Sequence, residues 1–281
     1  MKLGDLTITL VNGGNFRLDG GAMHGVVPKT IWSRLTSCDE HNRCEYATNC
    51  LLVEDGAGKR TLIETGNGEK FSPKERDIYG IDHDLSTEKQ LRALGVEPES
   101  IDLVIMSHLH FDHAGGATRR LGETVEPVFK RARHVVQKQE WHDATHPHER
   151  NRASYLAENF APLQDAGLLH LSDGEEEVAP GIRVIPTPGH TRGHQSVLLG
   201  QGDDKMLFLG DVVPTSIHVK LPFIMAYDLD VVGTLESKRK ILNQALKDRW
   251  LVAFGHDLTV AAGRLGVDAR GQFTIAENVP F

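Results

Sequence analysis

Short apolar runs followed by polar residues recur along the chain, and they predict buried strands that end in loops. Such runs lie at 101–106, 182–186 and 205–209. Between 235 and 250 the apolar residues follow helical spacing against charged ones, which predicts an amphipathic helix that covers a sheet. The order of strands, then polar clusters, then helices occurs twice. The pattern therefore predicts two similar halves.

Other parts of the chain add strands and one helical insertion. Residues 6–11 suit an opening strand, and 48–53 and 60–64 suit a hairpin joined by the turn composition at 55–58. Residues 139–161 are charged and loosely patterned, and we expect them to be helical apart from a break at Pro147. Because this segment lies between the two halves, residues 139–167 are expected to form a cap-like insertion in one domain that spans 1–281.

A dense polar cluster follows the first of these runs. Residues 107–116 read Ser-His-Leu-His-Phe-Asp-His-Ala-Gly-Gly and place His108, His110, Asp112 and His113 within six positions. Imidazole is the commonest protein ligand for a borderline metal such as zinc, and a carboxylate adds an anionic oxygen. A solvent-facing polar loop is the alternative, but chance rarely gathers these residue types so closely. The cluster predicts a metal site at a strand end.

The pattern H-x-H-x-D-H after a buried strand resembles the signature of the metallo-β-lactamase superfamily. Three later stretches match the same family in the same order, at 187–194, 209–211 and 254–256. Within the superfamily, 19–23 and 27–29 also resemble the branch that contains N-acyl homoserine lactonases. The resemblance implies an α+β fold, a four-layer αββα sandwich of two similar halves with the metal site at one edge.

The resemblance also implies a ligand set and a chemistry. Seven side chains would hold two divalent metal ions, expected to be zinc: His108, His110 and His190 one ion, Asp112, His113 and His256 the other, and Asp211 both. A metal-bridging hydroxide would then attack a carbonyl ester, most readily a lactone such as an N-acyl homoserine lactone. Asp112 and Asp211 are the expected catalytic proton carriers. Glu64 and His194 would support the ligands by hydrogen bonding, although a solvated Glu64 is an open alternative.

The substrate contacts are harder to predict, because the chain departs from the best-known lactonases. Those lactonases have a tyrosine three residues after the bridging aspartate, where this sequence has Pro214. His218 or Tyr227 would have to supply that donor instead. An apolar entry suited to an acyl chain is expected from five residues: Phe16, Met23, Phe111, Phe223 and Ile224.

Other chemistries on the same fold stay open, since fold does not settle function. They include a thioesterase, a phosphotriesterase, a phosphodiesterase and a mono-iron persulfide oxygenase. A phosphodiesterase would call for Lys or Arg beside the ligands, and only Arg192 is close in sequence. The diiron flavoprotein relatives have a glutamate in place of His110 and an additional flavin domain, so this sequence resembles them less.

Charge and hydropathy limit the partners. The chain has 31 Lys and Arg against 39 Asp and Glu, a formal charge of −8 that would repel phosphate backbones. No apolar run has the length of a membrane span, and the first residues lack the basic and apolar segments of a signal peptide. We therefore expect a cytoplasmic enzyme with a small-molecule substrate and with neither nucleic acid nor membrane as partner. A homodimer is left open.

Two further clusters contain metal-binding residue types, and neither predicts a site. Cys38, Cys44 and Cys50 are spaced six apart, and an odd count without a signal peptide favours reduced, structural cysteines. A second histidine cluster is interrupted by Pro147 and lacks an acidic partner at fixed spacing, which favours a solvated surface: His142, His146 and His148.

Overall fold

Two mixed β-sheets of seven strands each form the centre of the fold, which a computed structural model describes over residues 1–281. In spatial order, the strands of the first sheet are β1 (Lys2–Leu3), β2 (Leu6–Asp19), β3 (Arg43–Glu54), β4 (Arg60–Ile63), β5 (Leu103–Ile105), β8 (Arg133–Gln137) and β9 (Leu169–Ser172). Strands β6 (Thr118–Leu121) and β7 (Thr124–Pro127) form a separate hairpin. The second sheet follows chain order through β10 (Glu176–Ala179), β11 (Ile182–Pro186), β12 (Gln195–Gln201), β13 (Asp204–Phe208), β14 (Leu251–Ala253), β15 (Ala262–Val267) and β16 (Phe273–Asn278).

Eight helices connect and cover the sheets: α1 (Gly20–His24), α2 (Lys29–Trp32), α3 (Pro73–Tyr79), α4 (Thr87–Ala93), α5 (Phe111–Ala114), α6 (Lys138–Thr145), α7 (Ala161–Asp165) and α8 (Val231–Lys247). Only α8 is long, and it is capped by Asp230, the residue before its first turn, whose side chain accepts a hydrogen bond from the Gly233 amide. No helix combines the length and the apolar composition that crossing a bilayer requires.

The main core lies between the two sheets. Apolar side chains of both inner faces meet there, among them Ile63 and Ile105 from the first sheet and Val197 and Phe208 from the second. All three residues of β5 are buried. A strand covered on both faces is apolar throughout, which is why residues 101–106 form a nearly continuous hydrophobic run.

Helices cover both outer faces. On the first sheet, Leu91 of α4 and Leu163 of α7 join a second apolar cluster. On the second sheet, α8 inserts Ile241, Leu242 and Ala245, the stripe that its periodicity predicts. The layers are therefore helix, sheet, sheet, helix, and the predicted α+β, four-layer αββα sandwich is confirmed.

The predicted helix over 139–161 is mostly wrong. The helix α6 ends at Thr145, and His146 adopts φ −130° and ψ 54°, outside the helical region, because Pro147 follows it. Turns occupy much of the stretch up to residue 156. Few apolar residues occur in this stretch, so little packing energy is available to hold a helix against the core.

The prediction that all three cysteines are reduced is wrong for two of them. Cys38 and Cys44 form a disulfide, with 4.0 Å between their Cα atoms. The loop between them is folded by Asp39, whose Oδ1 accepts hydrogen bonds from the amides of His41 and Arg43. This turn places the two cysteines, which are six residues apart, opposite each other in an isolated antiparallel β-bridge. Cys50 is a free, buried thiol, and burial raises its pKa.

Candidate metal centre

Both sheets direct polar side chains to one edge of the sandwich. The first sheet supplies His108, His110, Asp112 and His113 from the loop after β5 and from α5. The second sheet supplies three more residues, each in a loop that follows a strand: His190 after β11, Asp211 after β13 and His256 after β14. Strands β13 and β14 are parallel neighbours, so their carboxyl ends meet at the same edge.

These seven side chains converge and are buried. Three groups have ligand atoms within 4.8 Å of one another: His108, His110 and His190; His108, His113 and Asp211; and Asp112, His113 and His256. The ring nitrogens approach closely, with His110 Nδ1 at 3.0 Å from His108 Nε2 and 3.1 Å from His190 Nε2. Likewise His113 Nε2 lies 3.1 Å from His256 Nε2.

Asp211 lies between the two histidine groups. Its Oδ1 is 3.0 Å from His256 Nε2, and its Oδ2 is 3.4 Å from His190 Nε2. Burial opposes the charge on Asp211, but His256, His113 and His190 together hold the pKa of this carboxyl well below its usual range. The side chain is therefore an anion that faces both groups at neutral pH.

Hydrogen bonds on the outer side of the rings fix which nitrogens point inward. His190 Nδ1 donates to Asp228 Oδ1 at 2.7 Å, and His256 Nδ1 donates to the Ala47 carbonyl at 2.8 Å. Because these partners are acceptors, each of the two rings holds a proton on Nδ1 and directs Nε2 to the centre. Burial disfavours a second proton on these rings, whereas the Asp211 carboxylate raises the pKa of both. A cation at the centre would take the place of that proton on Nε2.

This donor set fits a divalent cation. Burial opposes a charge on His113, yet Asp211, Asp112 and Glu64 raise its pKa well above the usual range, so the carboxylates favour positive charge at this point. Burial and the neighbouring imidazoles lower the pKa of His108 well below its usual range, which keeps that ring neutral and able to coordinate. Nitrogen and carboxylate ligands of this kind suit zinc and similar metals.

Two predicted supporting residues have the expected contacts. Glu64 Oε1 accepts a hydrogen bond from the Ser107 amide at 2.9 Å, and Glu64 Oε2 lies 3.3 Å from His113 Nδ1. His194 Nε2 accepts from the Asp211 amide at 2.9 Å. Burial lowers the pKa of His194 to about 3, so its ring is neutral and can accept this bond.

A third support, Glu140, is invisible in the motifs. Its buried Oε1 accepts from the Leu109 amide at 3.0 Å and from the Tyr155 hydroxyl at 2.8 Å, and its Oε2 accepts from Thr191 Oγ1 at 2.5 Å. Leu109 and Thr191 are chain neighbours of three candidate ligands. Glu140 therefore joins the two ligand loops. Only its position at the start of a helix after a buried strand signalled it.

A cavity of about 280 Å³ opens onto this centre. His110, Asp112, His190, Asp211 and His256 reach its wall, and the predicted contacts Met23, Phe111 and Tyr227 also line it. The remaining lining residues include an apolar set (Leu18, Met225 and Leu229) and a polar set (Arg150, Asn151 and Ser154). The cavity thus joins metal-binding side chains to an amphipathic wall.

The other predicted contacts lie outside this lining. Phe16 is fully buried, with its ring 5.2 Å from the ring of His256. His218 is held by the Thr215 hydroxyl at 2.7 Å and the Met23 carbonyl at 2.9 Å, and its ring stacks on His24. Phe223 packs in the same apolar cluster as Phe16. Sequence spacing gave no sign that these side chains are packed away from the cavity.

Comparison with known proteins identifies the family. Residues 45–256 match the profile of the metallo-beta-lactamase superfamily. The chain is 31% identical over 227 residues to an N-acyl homoserine lactonase from a Bacillus species, an alignment that covers 76% of this chain and 82% of that protein.

Solved structures agree with this match. A probable metal-dependent hydrolase from Staphylococcus aureus superposes with a TM-score of 0.89 at 31% identity, and both chains are covered in full. AidC, a dizinc quorum-quenching lactonase, has the same fold, with a TM-score of 0.81 at 21% identity over 100% of this chain and 97% of that one. Converging histidines and carboxylates, the αββα layers and these matches lead to one conclusion: the chain belongs to the metallo-β-lactamase superfamily and is a metal-dependent hydrolase.

Proposed function

We propose that this protein is a dinuclear-metal hydrolase that opens lactones, with N-acyl homoserine lactones as the preferred class. The observation that carries the proposal is the position of Asp211 between two histidine groups, in the lining of a cavity with an amphipathic wall. The relatives called N-acyl homoserine lactonases, at about 30% identity over most of the chain, support the substrate class.

The ligand assignment is the one that the family resemblance implies, and the three close groups support it. His108, His110 and His190 would hold one ion, Asp112, His113 and His256 the other, and Asp211 both. Zinc is the expected metal, because imidazole nitrogens and carboxylate oxygens are its common ligands. When bound, two such ions supply a nucleophilic water near neutral pH and polarise a carbonyl oxygen.

The chain's own residues then orient the substrate and move a proton. Asp112 and Asp211 line the cavity, so a carboxylate oxygen of either can carry a proton to the leaving oxygen of the opened ring. Tyr227 also lines the cavity, and burial raises the pKa of its phenol, so the hydroxyl stays a neutral donor for the substrate carbonyl. It would replace the tyrosine that Pro214 displaces. Met23 and Phe111 would contact the acyl chain.

The segment 139–167 would cap this cavity within a single domain. Arg150, Asn151 and Ser154 contribute its polar lining. Arg150 Nη2 donates to the Ala226 carbonyl at 2.5 Å, a contact that links the segment to the loop bearing Tyr227. Such a cap would limit the entry of bulk water.

The test is purification under metal-defined conditions, followed by metal analysis and a substrate panel on the same sample. We expect two zinc ions per chain and a higher kcat/KM for N-acyl homoserine lactones than for thioesters, phosphotriesters or phosphodiesters. The His110→Ala variant should lose metal and activity. The control His142→Ala removes a histidine whose side chain is 64% exposed and should retain both. One iron per chain with oxygen uptake would overturn the proposal in favour of an oxygenase.

A further inference from the structure

One cationic side chain lines the cavity without an acidic partner. Arg150 is the only lysine or arginine in the lining, and it is exposed, so a molecule in the cavity can reach it. Its side chain makes a single hydrogen bond, from Nη2 to the Ala226 carbonyl at 2.5 Å. By contrast, Arg192 donates from Nε to Asp143 Oδ2 at 2.9 Å and lies outside the lining. Because a guanidinium carries five N–H donors, Arg150 has donors left for a ligand.

Both ends of Arg150 are held in place. At the backbone, its amide donates to His148 Nδ1 at 3.2 Å. At the tip, the bond to the Ala226 carbonyl reaches the loop 225–229, which contributes four residues to the cavity lining. The side chain thus joins the segment 139–167 to the loop on the other side. A planar guanidinium that is already oriented in this way loses little freedom when it binds a further acceptor.

The two segments that Arg150 joins both contact stretches that bear candidate metal ligands. On one side, the Ser154 carbonyl accepts at 2.9 Å from the amide of Phe111, which lies between two of these ligands. On the other side, the Leu229 amide donates to the His190 carbonyl at 3.1 Å. These backbone bonds keep the guanidinium in a set position relative to the candidate metal centre.

The rest of the lining and the proposed substrate class narrow the ligand chemistry. Apolar side chains, among them Leu18, Met23 and Leu229, suit a hydrocarbon chain. N-acyl homoserine lactones carry no anionic group, so their carbonyl oxygens are the strongest acceptors. The lactone carbonyl is already assigned to the metal centre and Tyr227, which leaves the amide carbonyl between the ring and the acyl chain. A hydrogen bond to it from a charged donor is about twice as strong as one between neutral groups.

We infer that Arg150 is a specificity-determining residue whose guanidinium binds the amide carbonyl oxygen of the acyl group. The inference rests on the proposed lactonase function and adds a preference to it. Lactones with an N-acyl group would be favoured over alkyl lactones of equal length. Only the N-acyl lactones offer the guanidinium an acceptor beyond the ring that is opened.

The test compares two substrates in two variants. The substrates are N-hexanoyl homoserine lactone and α-heptyl-γ-butyrolactone, which has methylene groups in place of the amide. In Arg150→Met, which keeps an unbranched side chain without N–H donors, we expect kcat/KM to fall about 10- to 100-fold for the acylated lactone and less than about threefold for the alkyl lactone. The matched control Arg152→Met removes an exposed arginine outside the lining and should leave both values at the wild-type level.

The ratio of the two losses separates recognition from structural support. If Arg150 only held the loop 225–229 in place, Arg150→Met would lower kcat/KM for both lactones alike. Equal losses, or no loss for either lactone, would therefore overturn the role of Arg150 while leaving the lactonase proposal intact. A wild-type enzyme that opens neither lactone would instead overturn the proposed function, and the amide assignment with it.

A binding measurement supplies a second readout. The product N-hexanoyl homoserine should raise the thermal midpoint of the wild-type protein, and it should raise that of Arg150→Met by clearly less, at equal metal content. Arg152→Met should match the wild type. Equal stabilisation of all three proteins by the product would also contradict a bond between Arg150 and the amide carbonyl.

Discussion

Asp228 fixes the proton of His190: its Oδ1 lies 2.7 Å from His190 Nδ1, and both side chains are buried. The opposite ring nitrogen, Nε2, therefore faces the centre and lies 3.4 Å from Asp211 Oδ2. Asp228 is 38 residues downstream of His190 and belongs to none of the four sequence motifs. A side chain outside the motifs thus sets the coordinating form of a side chain within them.

Asp228→Asn should weaken metal binding about 10- to 100-fold, since a neutral amide is a poorer acceptor and orients the imidazole less well. The measurement is the zinc dissociation constant by chelator competition. Asp230→Asn is the matched control, because Asp230 is exposed and asparagine caps a helix equally well. Equal affinity in both variants would show that His190 needs no buried anion.

Glu140→Gln should also reduce metal affinity about 10-fold or more, because glutamine cannot accept at both oxygens as Glu140 does from Leu109, Tyr155 and Thr191. The loss should fall mainly on the ion that His108, His110 and His190 are proposed to hold, which cobalt substitution and absorption spectra would resolve. Glu149→Gln alters an exposed carboxylate and serves as control. An unchanged spectrum would contradict the proposed link between the two ligand loops.

Tyr227→Phe should lower kcat for the best lactone about 10- to 100-fold with a smaller effect on KM, if the hydroxyl donates to the developing oxyanion. Steady-state kinetics on metal-replete enzyme measure this. Tyr46→Phe is the control, because the Tyr46 hydroxyl is buried without a partner and lies outside the cavity lining. Unchanged turnover in Tyr227→Phe would rule out the donor role.

Lys238 should make stability depend on pH. Its buried ammonium donates to the carbonyls of Lys220 and Phe223, and burial lowers its pKa to about 7 from a usual value of 10.5. Between these values the unfolded chain holds a proton that the folded chain has lost, so the free energy of unfolding rises with pH, by at most about 1.4 kcal/mol per pH unit. Below pH 7 this contribution is constant.

Urea unfolding of wild type and Lys238→Met across this range measures the effect as the difference between the two proteins. Lys240→Met, an exposed change on the same helix, should show the wild-type slope. Parallel curves for wild type and Lys238→Met would mean that the buried amine titrates normally.

The Cys38–Cys44 disulfide closes a loop of seven residues and should stabilise the fold by about 2 kcal/mol, which is about 3 to 4 °C in Tm for a chain of this length. A reductant should lower the Tm of the wild type by that amount and leave the double variant Cys38→Ser, Cys44→Ser unchanged. Intact mass under non-reducing conditions should reveal two missing hydrogens. A wild-type mass with all thiols present would contradict the bridge.

The sequence predicted the layers and the convergence of ligands well, for a physical reason. Buried strands such as β5 are apolar on both faces, and loops such as 107–110 follow them directly, so pattern and spacing locate both. Family resemblance supplied the partners of His108 that are distant in sequence.

The errors share a different cause. Phe16 and His218 are the residue types expected at a substrate entry, but tertiary packing buries both side chains in the core. The hydrophobic periodicity of the sequence does not indicate this orientation. The pairing of Cys38 with Cys44 depended on the turn that Asp39 builds. Each of these features is decided by contacts between segments rather than by local pattern.

The division of the ligands between the two sheets has a consequence for biogenesis. Four of the seven side chains come from the first half of the chain and three from the second. Under the proposed two-ion assignment, neither half alone would offer an ion a complete set of ligands. High-affinity metal binding would therefore require that the two halves have docked, and the bound metal would then stabilise their association. Zinc capture during refolding would report that docking step as it happens.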